Sequence, residues 1–142
     1  MPRILLIEDE PALRLTFHHI LEEYGHEVVD APNGRVGIEK CRQNPPDLVI
    51  TDLLMPELCG EEILVTLRGE FPGLPIIAMS GYRTDLDSFR TPDEAMICCV
   101  VKPVSPGVLV RLVETMLAKG PNGRTPQTST PKKIATVEQK NA

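Results

Sequence analysis

Short apolar runs alternate along the chain with segments of helical periodicity, and this alternation constrains the fold more than any other feature. Four runs are bounded by polar or turn residues, and Val28-Val29 forms a shorter fifth run. The four runs cover residues 4–7, 48–50, 76–78 and 97–101. Runs this short, apolar on both faces, are typical of parallel strands that are buried between helices.

Each run is followed by a helical pattern. Pro11 suits a first helical turn, apolar residues then recur at helical spacing, and Gly25 is placed to end that helix. Ser105 is a good N-cap for the last helix. Further patterns cover residues 34–41, 59–67, 84–91 and 108–116, of which the one at 84–91 is weak. Five repeats of strand and helix predict an α/β fold, a doubly wound parallel sheet with helices on both faces.

The composition changes after residue 119. Residues 120–142 are dominated by Gly, Pro, Thr, Ser, Asn and Lys, and Ile134 and Val137 are the only large aliphatic residues among them. We expect one domain over residues 1–119 and a disordered or linker-like tail over residues 120–142. The sequence leaves open whether that tail is native.

Charge and hydropathy exclude several classes of protein. The formal net charge of -5 argues against direct binding of nucleic acid. No apolar run approaches the ~18 residues of a membrane span, and no signal peptide is apparent, so we expect a cytoplasmic protein without membrane insertion.

The cysteines and histidines give no metal or disulfide signal. The four cysteines lack the spacing of a zinc site or a disulfide framework, and we expect each to serve as a small buried apolar residue. They are Cys41, Cys59, Cys98 and Cys99. His18, His19 and His26 have no metal-ligand spacing, and surface or partly buried structural roles are expected for them.

Polar residues at the carboxyl ends of the predicted strands are the candidates for function. They are Glu8-Asp9, Asp52, Ser80 and Lys102. In open α/β sheets ligands bind in the crevice beyond those ends, so we expect these side chains to share one edge. Taken alone, Glu8-Asp9 would be an ordinary pair at a helix start, because acids there interact favourably with the helix dipole. The coincidence of all four positions favours a functional site.

Three carboxylates in one place repel one another unless a cation intervenes. Mg²⁺ prefers oxygen ligands and uses few protein carboxylates. Asp52 would then stay ionised and able to attack phosphorus, forming an acyl phosphate. Lys102 would neutralise charge on the phosphoryl oxygens, and Ser80 would donate a hydrogen bond to one of them.

These motifs closely resemble the receiver domain of two-component response regulators. The matching segments are ILLIEDE at 4–10, DLVITDLLMP at 47–56, MSG at 79–81 and VKP at 101–103. Each is weak alone, but the four in this order and spacing are highly specific, and the resemblance covers about residues 1–119.

The resemblance implies a flavodoxin-like sheet of strand order 2-1-3-4-5. It implies that Asp52 is the phosphoacceptor and that Glu8, Asp9, Asp52 and the backbone carbonyl of Leu54 coordinate Mg²⁺. It further implies that Ser80 is the switching hydroxyl and that Lys102 contacts the phosphoryl group. The implied phosphodonor is a histidine kinase or a phosphotransfer domain, and the output is altered binding of an unidentified downstream protein.

Two features of the sequence depart from the family pattern. The family usually carries an aromatic residue three positions before the lysine, and here that position is Cys99. A small thiol does not sweep out the same volume as a ring, so we expect altered coupling to Ser80. Residues 91–94 replace the usual Ala/Gly-rich stretch, and we expect a short helix before the fifth strand and an unusual signalling face.

Two other functions compete with the phosphoacceptor switch. A phosphohydrolase with an aspartate nucleophile would need a second acid two residues later, where this chain has Leu54, so we expect no turnover of external substrates. A phosphorylation-independent interaction module on the same fold remains the alternative. The sequence also leaves open whether the chain is a stand-alone regulator or a fragment of a larger regulator or hybrid kinase.

Overall fold

The computed structural model describes residues 1–53, 60–81 and 97–119. The predicted helix at 84–91, the segment 91–94, the tail 120–142, Leu54 and Cys59 lie outside the described residues. The strands are β1 (Arg3–Ile7), β2 (Glu27–Ala31), β3 (Leu48–Asp52), β4 (Ile76–Ser80) and β5 (Ile97–Val101). The described helices are α1 (Pro11–Glu23), α2 (Gly34–Gln43), α3 (Gly60–Glu70) and α4 (Pro106–Lys119).

The strands form a single parallel sheet. Its order is β2-β1-β3-β4-β5, which confirms the predicted doubly wound fold and strand order. Ile7 pairs with Thr51, Asp52 pairs with Met79, and Ser80 pairs with Val101. Because parallel strands in register end together, the carboxyl ends of β1, β3, β4 and β5 meet at one edge of the sheet.

Each face of the sheet contributes to its own hydrophobic cluster. On β1, Ile4 and Leu6 pack with residues of α1 and α4, whereas Leu5 and Ile7 pack with residues of α2 and α3. This alternation follows from the two-residue period of a strand. Burial of one such aliphatic side chain contributes about 1.5–3 kcal/mol, so the two clusters hold the sheet as a rigid platform.

The helix ends mostly follow the sequence signals. Pro11 opens α1, and Gly25 follows it with φ of 89°, a conformation that favours glycine. Ser105 caps α4 because its Oγ accepts a hydrogen bond from Val108 N at 3.3 Å. Asn33 caps α2 in the same way, with its Oδ1 2.9 Å from Val36 N, and the sequence analysis missed this cap.

Two expectations about burial were wrong. Cys41 is buried as expected, but Cys98 and Cys99 are only half-buried because β5 is an edge strand of the described sheet. His26 is 8% exposed and therefore buried rather than partly exposed. Its ring nitrogens have no hydrogen-bond partner among the described residues.

The helices of the described ranges are too short or too polar to cross a membrane.

Candidate functional site

The predicted site residues occupy neighbouring strand ends. Glu8 follows β1 directly, Asp52 is the last residue of β3, Ser80 is the last residue of β4, and Lys102 follows β5 directly. The hydrogen-bond ladder continues past the strands, since Glu8 N donates to Ala31 O at 3.0 Å and Lys102 N donates to Ser80 O at 2.7 Å. The backbone at these positions is therefore held by the sheet.

Three carboxylates form an acidic pocket at this edge. One carboxylate oxygen from each of Glu8, Asp9 and Asp52 lies within 4.8 Å of the other two. Glu8 and Asp52 are 1% and 3% exposed, so two of the three acids are nearly removed from water. Charges of one sign in such an environment repel one another strongly unless a cation balances them.

Lys102 contributes a cation to the pocket. Its Nζ lies 2.7 Å from Asp52 Oδ2 and 3.7 Å from Glu8 Oε1. Burial alone would lower the pKa of Lys102, but the hydrogen bond and the negative charge of Asp52, together with Glu8, outweigh it and raise the pKa. The protonated, positively charged form of Lys102 is therefore favoured.

The surroundings of Glu8 disfavour the charged form of its carboxyl group. Burial, and then the negative charge of Asp52, raise the pKa of Glu8 to about 7. Its Oε2 accepts a hydrogen bond from Glu10 N at 3.2 Å, whereas its buried Oε1 has no hydrogen-bond partner among the described residues. A buried carboxylate oxygen without a hydrogen-bond partner is suited to bind a cation.

Ser80 lies beside the acidic pocket on the next strand. It is fully buried, and it follows Met79, the residue of β4 that pairs with Asp52. Gly81 comes next and is exposed, and a Cβ built on it would meet nothing within 4 Å. A bound group could therefore approach the backbone at Gly81 closely.

The structure brings Glu8, Asp9, Asp52 and Lys102 together, with Ser80 on the adjoining strand end. The predicted Leu54 carbonyl lies outside the described residues.

Arg14 also reaches this region, although the sequence motifs did not predict a role for it. Its Nη1 donates a hydrogen bond to the backbone oxygen of Glu8 at 2.7 Å. The only available signal was an arginine one helical turn into α1, close after the acidic pair.

The arrangement suits two chemical tasks. Its oxygen ligands match a hard divalent cation such as Mg²⁺. A carboxylate next to an ammonium group and a cation site is able to act as a nucleophile toward phosphorus, with the positive charges stabilising the phosphoryl oxygens.

The family profile of the response regulator receiver domain matches residues 4–114 of this chain. The transcriptional regulatory protein AfsQ1 of Streptomyces coelicolor is 33% identical over 120 residues, which cover 84% of this chain and 53% of AfsQ1. Protein PilH of Pseudomonas aeruginosa is 30% identical over 120 residues, covering 83% of this chain and 99% of PilH. The chain therefore spans about half of one relative and nearly all of the other.

A similar fold occurs in the crystal structure of the response regulator protein TrrA from Thermotoga maritima, solved in complex with Mg²⁺-BeF. The TM-score is 0.71 and the sequence identity 32%, with 82% of this chain and 99% of that chain covered.

Proposed function

Because this chain belongs to the response regulator receiver domain family of two-component systems, we propose that it is a phosphoacceptor switch in a phosphorelay. Asp52 accepts a phosphoryl group in a Mg²⁺-dependent reaction, and phosphorylation changes the binding of a partner. The observation that supports this most directly is the 2.7 Å contact between Lys102 Nζ and Asp52 Oδ2 inside the acidic pocket.

In the proposed reaction a carboxylate oxygen of Asp52 attacks the phosphorus of a phosphohistidine on a histidine kinase or a phosphotransfer domain. An O–P bond forms on Asp52, the N–P bond of the donor breaks, and the donor nitrogen retains the bonding electron pair. Asp52 is 3% exposed, so little water surrounds the attacking oxygen. Lys102 lies close enough to neutralise charge on the transferred group, which is the main task in phosphoryl transfer.

Mg²⁺ is the proposed cofactor, held by Glu8, Asp9 and Asp52 and by the backbone carbonyl of Leu54. Two observations support the fit: the three carboxylate oxygens lie within 4.8 Å of one another, and Glu8 Oε1 has no hydrogen-bond partner among the described residues. When bound, the ion supplies positive charge that stabilises the phosphoryl oxygens. The structure of TrrA contains Mg²⁺-BeF, which agrees with this choice of metal.

The switch itself is proposed to act through Ser80. Its hydroxyl would donate a hydrogen bond to the phosphoryl group on Asp52 and draw the loop after β4 inward, shifting a two-state equilibrium. The phosphoryl group shifts this equilibrium only by the difference in free energy between its contacts in the active state and its contacts in the inactive state. Cys99 is half-buried on β5, where the family usually carries an aromatic ring, so the coupling to the downstream protein is proposed to differ from the common pattern.

A small-phosphodonor assay tests the proposal. Wild-type protein with acetyl phosphate and MgCl₂ is expected to acquire one phosphoryl group, detected by intact-protein mass spectrometry. Asp52→Asn and addition of EDTA are each expected to abolish the label. Asp47→Asn is the matched control, because Asp47 is an exposed aspartate just before the same strand and is expected to leave the label unchanged.

The assay also separates the competing functions. Absence of label on the wild-type protein would favour the interaction module, and label that persists in Asp52→Asn would place the phosphoacceptor elsewhere. The proposed domain catalyses only its own phosphorylation and dephosphorylation. Steady phosphate release from an added phosphoester would contradict that and favour a phosphohydrolase.

A further inference from the structure

The backbone around Glu8 is held more completely than a strand end requires. Its N–H donates to Ala31 O at 3.0 Å, and its backbone oxygen accepts a hydrogen bond from Arg14 Nη1 at 2.7 Å. Its Oε2 accepts a hydrogen bond from Glu10 N at 3.2 Å. Of its hydrogen-bonding atoms, only Oε1, which lies 3.7 Å from Lys102 Nζ, has no hydrogen-bond partner among the described residues.

The contact with Arg14 acts on the peptide group that joins two of the proposed metal ligands. The backbone oxygen of Glu8 belongs to the planar unit between Glu8 and Asp9. Fixing that oxygen fixes the orientation of the plane, and the plane determines the directions in which the side chains of Glu8 and Asp9 leave the backbone. The guanidinium group approaches from α1, because Arg14 N also donates to Glu10 O at 2.9 Å within the first turns of that helix.

We propose that Arg14 is a positioning residue for the metal site: by binding the Glu8 carbonyl it orients the carboxylates of Glu8 and Asp9 toward a common cation. This inference rests on the proposed function. It assigns Arg14 no contact with the metal or with the phosphoryl group.

Two physical effects of Arg14 on metal binding have opposite signs. Its positive charge near the acidic pocket repels a divalent cation and so weakens binding. Its hydrogen bond prearranges the ligands and so strengthens binding. Because Arg14 is partly exposed, solvent screens the charge, whereas the 2.7 Å hydrogen bond acts directly on the backbone. Removal of Arg14 is therefore expected to weaken Mg²⁺ binding.

The test measures the Mg²⁺ dissociation constant from the rise in Tm with MgCl₂ at constant ionic strength. Arg14→Met keeps the length of the aliphatic stem and loses the hydrogen-bond donor. The Mg²⁺ dissociation constant is expected to rise about tenfold, which is the typical effect of removing a group that holds a metal ligand in place. Arg14→Lys retains one donor and is expected to give an intermediate value. Arg111→Met is the matched control, because Arg111 is an exposed arginine in the middle of α4, and wild-type affinity is expected.

The outcomes separate this inference from the proposed function. Unchanged or tighter Mg²⁺ binding by Arg14→Met overturns the positioning role, even if Tm without Mg²⁺ falls, because a purely structural role lowers stability and leaves affinity intact. If Arg14→Met does not fold, Arg14→Gln decides, and wild-type affinity in that variant overturns the role. Absence of Mg²⁺ binding by the wild-type protein overturns the proposed metal site and this inference together.

Discussion

Lys102 and Asp52 lie 50 positions apart in the chain, yet their charged groups are 2.7 Å apart. Glu8 and Asp9 bring two further carboxylates to the same pocket. One ammonium group balances one carboxylate, so ionisation of the other two leaves an excess of negative charge. A divalent cation would balance that excess, which is why these particular residues suit the proposed metal site.

His18 is a second residue whose chemistry is set by its neighbours. Its Nδ1 lies 2.8 Å from Asp30 Oδ1 and its Nε2 lies 3.0 Å from Glu22 Oε2. Neutral imidazole has one donor nitrogen and one acceptor nitrogen, so it satisfies only one of two carboxylates. Two carboxylate neighbours favour the imidazolium form, and the hydrogen bond to Asp30, more than the effect of Glu22, raises the pKa of His18.

We predict that His18 stabilises the fold in acid more than in base. The pKa of His18 is higher in the folded state than its value of about 6.5 in the unfolded state. The stabilisation by His18 is therefore complete below about pH 6.5, and it is lost as the pH rises through the folded-state pKa. Urea unfolding measures the free energy of unfolding of wild type and His18→Gln at roughly pH 6 and roughly pH 9, on either side of that range. The difference between the two proteins is expected to be larger at the lower pH. The destabilisation by His18→Gln is expected to differ between the two pH values by about 1 kcal/mol at most, because the ion pairs of His18 are partly exposed.

His19→Gln is the control for this prediction. His19 is exposed, and we find no ion pair for it in the described part of the chain. Its substitution is expected to lower the free energy of unfolding at the lower pH less than His18→Gln does, because no ion pair among the described residues is lost. A His18→Gln effect that does not vary with pH would show that the imidazolium pairing contributes no stability.

At the scale of the elements, α2 packs unusually close to β1. A Cβ built on Gly37 would overlap Cδ1 of Ile7 and lie 2.6 Å from Cγ1 of the same side chain. Ile7 is fully buried and directly precedes Glu8, so it has little room to move. Glycine has a low helix propensity, yet Gly37 is the residue that lets this helix pack closely on the strand that leads to the site.

We predict that Gly37→Ala destabilises the protein by about 1 kcal/mol. Alanine gains roughly 1 kcal/mol in helix propensity, but overpacking a buried contact costs about 1–3 kcal/mol. Gly69→Ala in α3 is the matched control, since a Cβ there meets nothing within 4 Å, and stabilisation of up to about 1 kcal/mol is expected. Urea unfolding measures both, and equal stabilisation by the two substitutions would contradict the packing argument.

At the scale of the whole molecule, the acidic pocket would link the proposed metal binding to folding. The three carboxylates follow or end β1 and β3, and only the folded chain gathers them. The proposed Mg²⁺ would therefore bind the folded chain and not the unfolded one. Ligands that bind only the folded state stabilise it by mass action.

We predict that MgCl₂ raises the free energy of unfolding by about 2.7 kcal/mol when the ion is present at a hundred times its dissociation constant. Thermal unfolding with MgCl₂, compared with KCl of equal ionic strength, measures the effect. Asp9→Asn removes one carboxylate from the pocket and is expected to reduce the stabilisation. Equal Tm values in the two salts would contradict the metal site.

Local pattern predicted most of the architecture. The alternation of short apolar runs with helical periodicity predicted the parallel sheet, because burial on both faces of a strand leaves a signal within a few residues. The helix at 34–41 was predicted, although its N-cap Asn33 was missed, since an asparagine before a glycine also suits a turn. The exposure of Cys98 and Cys99 was predicted wrongly, because an apolar run does not reveal whether its strand lies at an edge.

The sequence by itself determined the strands, most helix boundaries and the positions of Glu8-Asp9, Asp52, Ser80 and Lys102 at strand ends, since these depend on residues near one another in the chain. Only the tertiary structure decided that Lys102 Nζ reaches Asp52 Oδ2, that Arg14 binds the Glu8 carbonyl, and that His18 lies between Glu22 and Asp30. Those contacts depend on distances between separate elements, which packing sets and short-range periodicity does not encode.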